Sequence, residues 1–316
     1  MFINASAHYI PERVISNAYY LSVNGLTDEW ISSRTGIRER HRAAEDENTN
    51  TMAMKVADML TEHLPYPKEE IDLLVGGTYT PYDTVVTLAH AVQYQLGLDP
   101  IPAVSVSSAC STFLNCMEVV EGYFAMGKAK RALVVVSEHN SAYNNDSNEK
   151  SGHLWGDGAA ILSISKKRLS EDDLEILDIT TRGAANVGKG TEGVMLHPRE
   201  QENAIYMPHG RDVFIHACQY MAEISTELLA KHGLGIDDLD YFIPHQANRR
   251  ISKKVAENLS LPESKLVSNI EYLGNTGCAG CAIGLSETHS KLKKGELVVT
   301  SVFGGGYSYG AMLIRA

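Results

Sequence analysis

An internal repeat constrains the fold of this chain more than any other feature. The run Glu70-Ile71-Asp72-Leu73-Leu74-Val75 is matched by Asp238-Leu239-Asp240-Tyr241-Phe242-Ile243, each an acidic turn leading into a short apolar segment. Thirty-eight positions beyond Asp72 stands Cys110, and thirty-eight beyond Asp240 stands Cys278. Residues 127–136 then match 293–299. Each copy next passes a glycine turn, Gly156-Asp157-Gly158 in one and Gly304-Gly305-Gly306 in the other, into a further apolar run. Several features recurring in one order favour duplication over chance likeness of short strands. The chain reads as two related α/β units, 1–166 and 167–316, joined near the charged stretch 166–175.

Apolar runs at 72–75, 103–106, 132–136, 159–164, 241–243, 297–299 and 311–314 predict buried strands. Helical spacing over 51–62, 112–126, 212–232, 250–258 and 283–292 predicts helices between them. Such alternation implies layered α/β architecture, and 316 residues are enough to bury a core without staples. With 28 Lys+Arg against 39 Asp+Glu the net charge is −11, which argues against a nucleic-acid partner because displacing counterions from phosphates needs clustered cations. No run approaches about 18 apolar residues, and Met1–Ile10 lacks a basic-then-apolar leader. A cytoplasmic protein with no membrane partner is expected. Five cysteines, an odd number spread thinly, predict free thiols in a reducing compartment. No Cys/His spacing fits zinc, so no metal is expected, and neither GxGxxG nor a P-loop is present.

Cys110 falls where a strand gives way to a helix. There the unpaired N–H groups and the helix dipole favour a thiolate and lower the cysteine pKa. The plain alternative is a small buried thiol, and Cys116, Cys218, Cys278 and Cys281 are read that way. His245, in YFIPHQAN, lies just past a strand's C-terminal end, where open α/β sheets place ligands; a surface-loop histidine is the alternative. Asn275, between glycines at the start of a helix of small residues, is ordinarily explained as a cap. The glycine run 304–306 is either a turn or a place where backbone N–H groups approach a substrate oxygen.

Six segments, WISSRTGIRER (30–40), the Cys110 turn, WGDGA (155–159), PHQAN (244–248), GNT (274–276) and GGGY (304–307), occur in that order over nearly the whole chain. The set resembles β-ketoacyl-acyl-carrier-protein synthase III of the thiolase superfamily. The resemblance implies a duplicated thiolase-like five-layer α-β-α-β-α fold and a homodimer. It implies Cys110 as nucleophile, His245 and Asn275 as its partners in condensation, and the N–H groups of Cys110 and Gly305 as an oxyanion hole. Trp30 and Arg34 match positions that hold the CoA nucleotide, with Arg250 on the same rim. The implied reaction is decarboxylative Claisen condensation of an acyl-CoA primer with malonyl-acyl carrier protein, initiating fatty acid biosynthesis, with acyl-CoA as substrate and no further cofactor.

Residue types separate this from related plans. A biosynthetic thiolase carries another cysteine beside its terminal glycine turn, where Phe303 stands here. Elongating synthases use a second histidine in place of Asn275, and hydroxymethylglutaryl-CoA synthase has a glutamate in its catalytic set. A relative that hands the acyl group to a hydroxyl or amine, or a ketosynthase of secondary metabolism, keeps the same three residues. Glu257 and Asn258, after Lys253 and Lys254, depart from the basic docking helix of the family, and TPYDTVVTL (80–88) resembles the segment lining the partner subunit's acyl pocket. Outside the superfamily, a cysteine hydrolase also uses Cys, His and Asn, but leaves Trp30 and Arg34 unexplained; a non-catalytic partner usually lacks the nucleophile.

Overall fold

The computed structural model describes residues 1–197 and 204–316. The chain begins with β1 (Phe2–Tyr9), then β2 (Arg13–Ser16), α1 (Ala18–Asn24), α2 (Asp28–Thr35) and β3 (Glu39–Arg42). It continues through α3 (Thr49–Thr61), β4 (Leu73–Gly77), α4 (Leu88–Leu96), β5 (Ala103–Val106), α5 (Thr112–Ala125), β6 (Arg131–His139) and β7 (Asp157–Ser165). Then come β8 (Leu174–Gly183), α6 (Gly210–Lys231), β9 (Tyr241–Pro244), α7 (Arg249–Asn258), α8 (Ile270–Leu273), α9 (Ala279–His289), β10 (Leu297–Gly304) and β11 (Ser308–Arg315).

The repeated acidic residue does the same work twice. Asp72 accepts the Lys130 and Arg131 N–H groups, at 2.9 and 2.8 Å, and Asp240 accepts that of Leu297 at 2.9 Å. Each carboxylate therefore sets where a parallel pairing starts, β4 with β6 and β9 with β10. The sheet runs β5-β4-β6-β7-β1-β8-β11-β10-β9. From its middle outward, β1, β7, β6, β4 on one side repeat as β8, β11, β10, β9 on the other, and the pairs Phe2↔Glu175 and Ile3↔Leu174 join the two sides.

Helices α5 and α9, which follow the two repeat cysteines, lie between the two sides. Phe113, Met117, Val120, Ala282 and Ile283 are wholly buried there, and burying each large apolar side chain contributes about 1.5–3 kcal/mol. Helices α3 and α4 cover one outer face through Met52, Val56, Leu60 and Val92. Helices α6 and α7 cover the other through Met221, Leu228 and Val255. The result is the duplicated thiolase-like five-layer α-β-α-β-α fold.

Three sequence expectations shift. Strands β1 and β8, where the halves meet, had not been read from sequence, because β1 turns Ile3, Ala5 and Ala7 inward and the rest outward and β8 is similarly mixed. Glu175, expected in the linker, lies inside β8. Helix α9 begins at Ala279 rather than Ile283, since its first turn, Ala279 to Ala282, is buried through small residues that give no large-residue period.

The halves are also tied together at backbone level. The Asn275 N–H donates to Leu154 O at 2.8 Å and the Gly156 N–H to Asn275 O at 3.0 Å, a two-bond bridge between loops of opposite halves. A Cβ on Gly156 would overlap the Leu273 carbonyl oxygen. Behind the bridge the buried Arg40 donates to Ile15 O, Asn17 Oδ1 and His153 O at 2.7–3.0 Å, so its charge is hydrogen-bonded rather than stranded. Gly156→Ala is expected to cost about 3 kcal/mol from overpacking and lower Tm by roughly 4–5 °C. Gly183→Ala, at a strand glycine with open space around it, is the control; equal melting of the two variants in scanning calorimetry contradicts this packing account.

Candidate active site

Cys110 lies in the turn between β5 and α5. Ala109 before it has φ +48°, a left-handed conformation that costs a non-glycine residue of order 1–3 kcal/mol. Local bonds hold it: the Ser108 N–H donates to Thr112 Oγ1 at 2.7 Å, and that hydroxyl donates to Ala109 O at 2.7 Å. Gly304 at the end of β10 packs against this turn, and a Cβ there would sit 2.7 Å from the Cys110 nitrogen. The closing glycine loop of the second half thus abuts the turn that bears Cys110.

The expectation of a lowered thiol pKa is overturned. Burial, reinforced by the Glu138 carboxylate and opposed by the Tyr79 hydroxyl, pushes Cys110 up to about 12. A rise of that size corresponds to about 4 kcal/mol, whereas a helix N-terminus supplies about 0.3–1 and at most about 2 kcal/mol. Helix α5 begins at Thr112, with Ser111 at its N-cap, so Cys110 lies just outside the first turn. Desolvation wins, and the resting residue is a neutral thiol.

His245 follows β9 directly, and its N–H donates to Ser301 O at 2.7 Å. Burial alone pushes the imidazole down to about 4. It is therefore neutral at ordinary pH, with Nδ1 unpartnered among the described residues. Asn275 does not cap α9. Its Oδ1 accepts the Gly277 N–H at 3.0 Å, which orients the carboxamide and leaves the Nδ2 donors for another acceptor.

Cys110, His245, Asn275, Gly304 and Gly305 line one cavity of about 400 Å³, together with Tyr79, Ser107 and apolar side chains including Trp155, Leu196, Ile205, Met207 and Phe303. The other sequence candidates stand outside that lining. The Arg34 guanidinium lies over the Trp30 ring at 4.5 Å, and Trp30 packs on the cluster that contains Trp155 and Ile205. Arg250 is exposed in the first turn of α7. Gly36, at the end of α2, packs against Arg249 at the start of α7, so the helices bearing these three residues adjoin.

Sequence reasoning had not singled out Tyr79, Glu138 or Asn140. Glu138 is wholly buried, accepts from Thr78 Oγ1, the Tyr79 and Thr80 N–H groups and the Thr80 hydroxyl, and contacts Cys278 Sγ at 2.8 Å; burial pushes it up to about 7. A lone carboxylate in the apolar strand sequence VVVSEH was the available signal. For Tyr79 it was position, since it follows the C-terminal end of β4 as His245 follows that of β9.

Comparison with known proteins adds lineage to this geometry. The family model described as 3-oxoacyl-(acyl-carrier-protein) synthase III matches residues 104–204, and its C-terminal companion matches 229–316. A β-ketoacyl-acyl-carrier-protein synthase III of Campylobacter jejuni is 33% identical, the alignment covering 99% of this chain and 97% of that one. The crystal structure of 3-oxoacyl-acyl-carrier-protein synthase III from Aquifex aeolicus superposes with a TM-score of 0.92 at 32% identity, over 100% and 99% of the two chains. That from Pseudomonas aeruginosa gives 0.91 at 28%, over 99% and 97%. With a third of its residues shared end to end and the same fold throughout, the chain belongs to the β-ketoacyl-acyl-carrier-protein synthase III family.

Proposed function

We propose that the protein condenses an acyl-CoA primer with malonyl-acyl carrier protein, releasing CO2 and giving the β-ketoacyl product that initiates fatty acid biosynthesis. The observation that carries this is the convergence of Cys110 from one half with His245 and Asn275 from the other on one apolar-walled cavity. In the first stage the Cys110 sulfur attacks the thioester carbonyl. The carbon–sulfur bond to CoA breaks and the departing sulfur takes the thiol proton, leaving acyl-Cys110. The N–H groups of Cys110 and Gly305 serve as donors to the carbonyl oxygen.

In the second stage the malonyl carbon–carboxylate bond breaks, CO2 leaves, and the electron pair becomes an enolate. This step needs hydrogen-bond donors rather than a base. A neutral imidazole N–H and the Asn275 Nδ2 supply two without placing a charge in the cavity. The enolate carbon attacks the acyl carbonyl, the bond to Cys110 breaks, and its thiolate takes up a proton. No step calls for a resident cofactor. In this reading Trp30, Arg34 and Arg250 hold the CoA nucleotide and the carrier's phosphate end at the cavity mouth, and residues 1–166 and 167–316 act as the two halves. The protein works in the cytoplasm and as a homodimer; the exposed Val85 and Tyr94, 79% and 84% accessible, beside the edge strand β5, support the second of these. No helix among the described residues is long and apolar enough to cross a membrane.

Mass spectrometry after mixing with acetyl-CoA is expected to show an acyl adduct that is lost in Cys110→Ala and discharged as a β-keto product on adding malonyl-acyl carrier protein. Discharge by water alone overturns the synthase reading. His245→Ala and Asn275→Ala are expected to acylate still, while product formation falls about 10²–10³-fold per lost donor; loss of acylation in both contradicts these roles. Because the resting thiol titrates far above neutrality, its alkylation by iodoacetamide should rise about tenfold per pH unit from 6 to 9. A plateau below pH 8 would show an acidic thiol instead.

A further inference from the structure

We propose that Tyr79 restricts the primer to acyl groups unbranched beside the thioester, its ring forming the cavity wall next to the Cys110 sulfur. The inference rests on the synthase reading above and concerns which acyl-CoA it accepts. Tyr79 and Cys110 line the same cavity, and the tyrosine hydroxyl and the cysteine thiol influence each other's ionisation. The ring fits there because residue 277 has no side chain. A Cβ on Gly277 would meet the Tyr79 hydroxyl and lie 2.8 Å from ring carbon Cε1, and Gly277 has φ +59°, a conformation that favours glycine.

The wall is held at both ends. The Tyr79 hydroxyl donates to Asn140 Oδ1 at 2.7 Å, and Asn140 Nδ2 donates to Gly156 O at 2.8 Å and Asn275 O at 3.3 Å. The Tyr79 N–H donates to Glu138 at 3.2 Å, in the same carboxylate that gathers Thr78 and Thr80. Swinging the ring aside leaves buried polar groups unpaired. A group next to the sulfur limits width at the first carbons of the acyl chain; the length of the chain is set further away. An α-methyl branch needs width where the ring lies, and one methyl-scale mismatch changes selectivity by about 10–200-fold.

The test compares acylation of Cys110 by acetyl-, n-butyryl- and isobutyryl-CoA in wild type, Tyr79→Phe, Tyr79→Val and Tyr79→Ala. A second arm reads mixed-disulfide formation at Cys110 with methyl and isopropyl methanethiosulfonate, which needs no CoA chemistry. Wild type and Tyr79→Phe should favour acetyl over isobutyryl at least tenfold, and methyl over isopropyl likewise; Tyr79→Val and Tyr79→Ala should raise the branched-to-straight ratio at least tenfold in both arms. Acylation of wild type by isobutyryl-CoA within threefold of acetyl-CoA overturns the proposal. So do unchanged ratios in whichever of the two small variants melts cooperatively. Relief of selectivity in the disulfide arm with no acylation by any acyl-CoA would sustain the wall while refuting the synthase reading.

Discussion

The site depends on two backbone hydrogen bonds that cross between the halves, Asn275 N–H to Leu154 O and Gly156 N–H to Asn275 O. Each half alone supplies only part of the constellation: the thiol after β5 comes from one, the imidazole after β9 and the carboxamide after α8 from the other. The bridge anchors the carboxamide's own backbone to the half that bears the thiol, and Arg40 backs it from within the core. Gly304 against the Cys110 turn makes a second crossing contact. Duplication thus provides the frame, and loops at the ends of corresponding strands have diverged to hold different groups.

Burial sets the electrostatics. Cys110 is pushed up, His245 down and Glu138 up, all toward the uncharged form, as removal from water requires. A cavity in which Cys110 and His245 are uncharged at rest suits a reaction in which a carboxylate is lost and charge appears briefly on an enolate oxygen, because fixed donors act more strongly where water is excluded. The same desolvation places the burden of activating Cys110 on the arriving thioester and its surroundings rather than on a preformed thiolate.

The duplication, seven of the strands and the strand-end positions of Cys110 and His245 were legible because they rest on local pattern: an acidic start, an apolar run, a turn. Strands β1 and β8 were not, since only scattered residues of each are buried, Ile3, Ala5 and Ala7 in β1 and Leu174, Ile176 and Ile179 in β8, and they take their identity from the halves packing together. Asn275 was legible only through family resemblance; read locally it looked like a cap, and its orientation comes from Gly277 and its placement from Leu154 and Gly156. The raised Cys110 pKa and the roles of Tyr79 and Glu138 are products of tertiary burial, which no spacing of residues along the chain expresses. The fold was therefore more readable than the chemistry of the site it builds.

The central claim is that two groups from the second half, His245 and Asn275, bind one oxygen atom beside the Cys110 sulfur of the first. The most direct measurement is a crystal structure of the acetylated enzyme soaked with a malonyl thioester analogue that cannot decarboxylate. The account requires the analogue's thioester oxygen within hydrogen-bond reach of both His245 Nε2 and Asn275 Nδ2, with its central carbon facing the acetyl group on Cys110. An analogue bound with that oxygen turned away from either residue, or lodged outside the shared cavity, would contradict it.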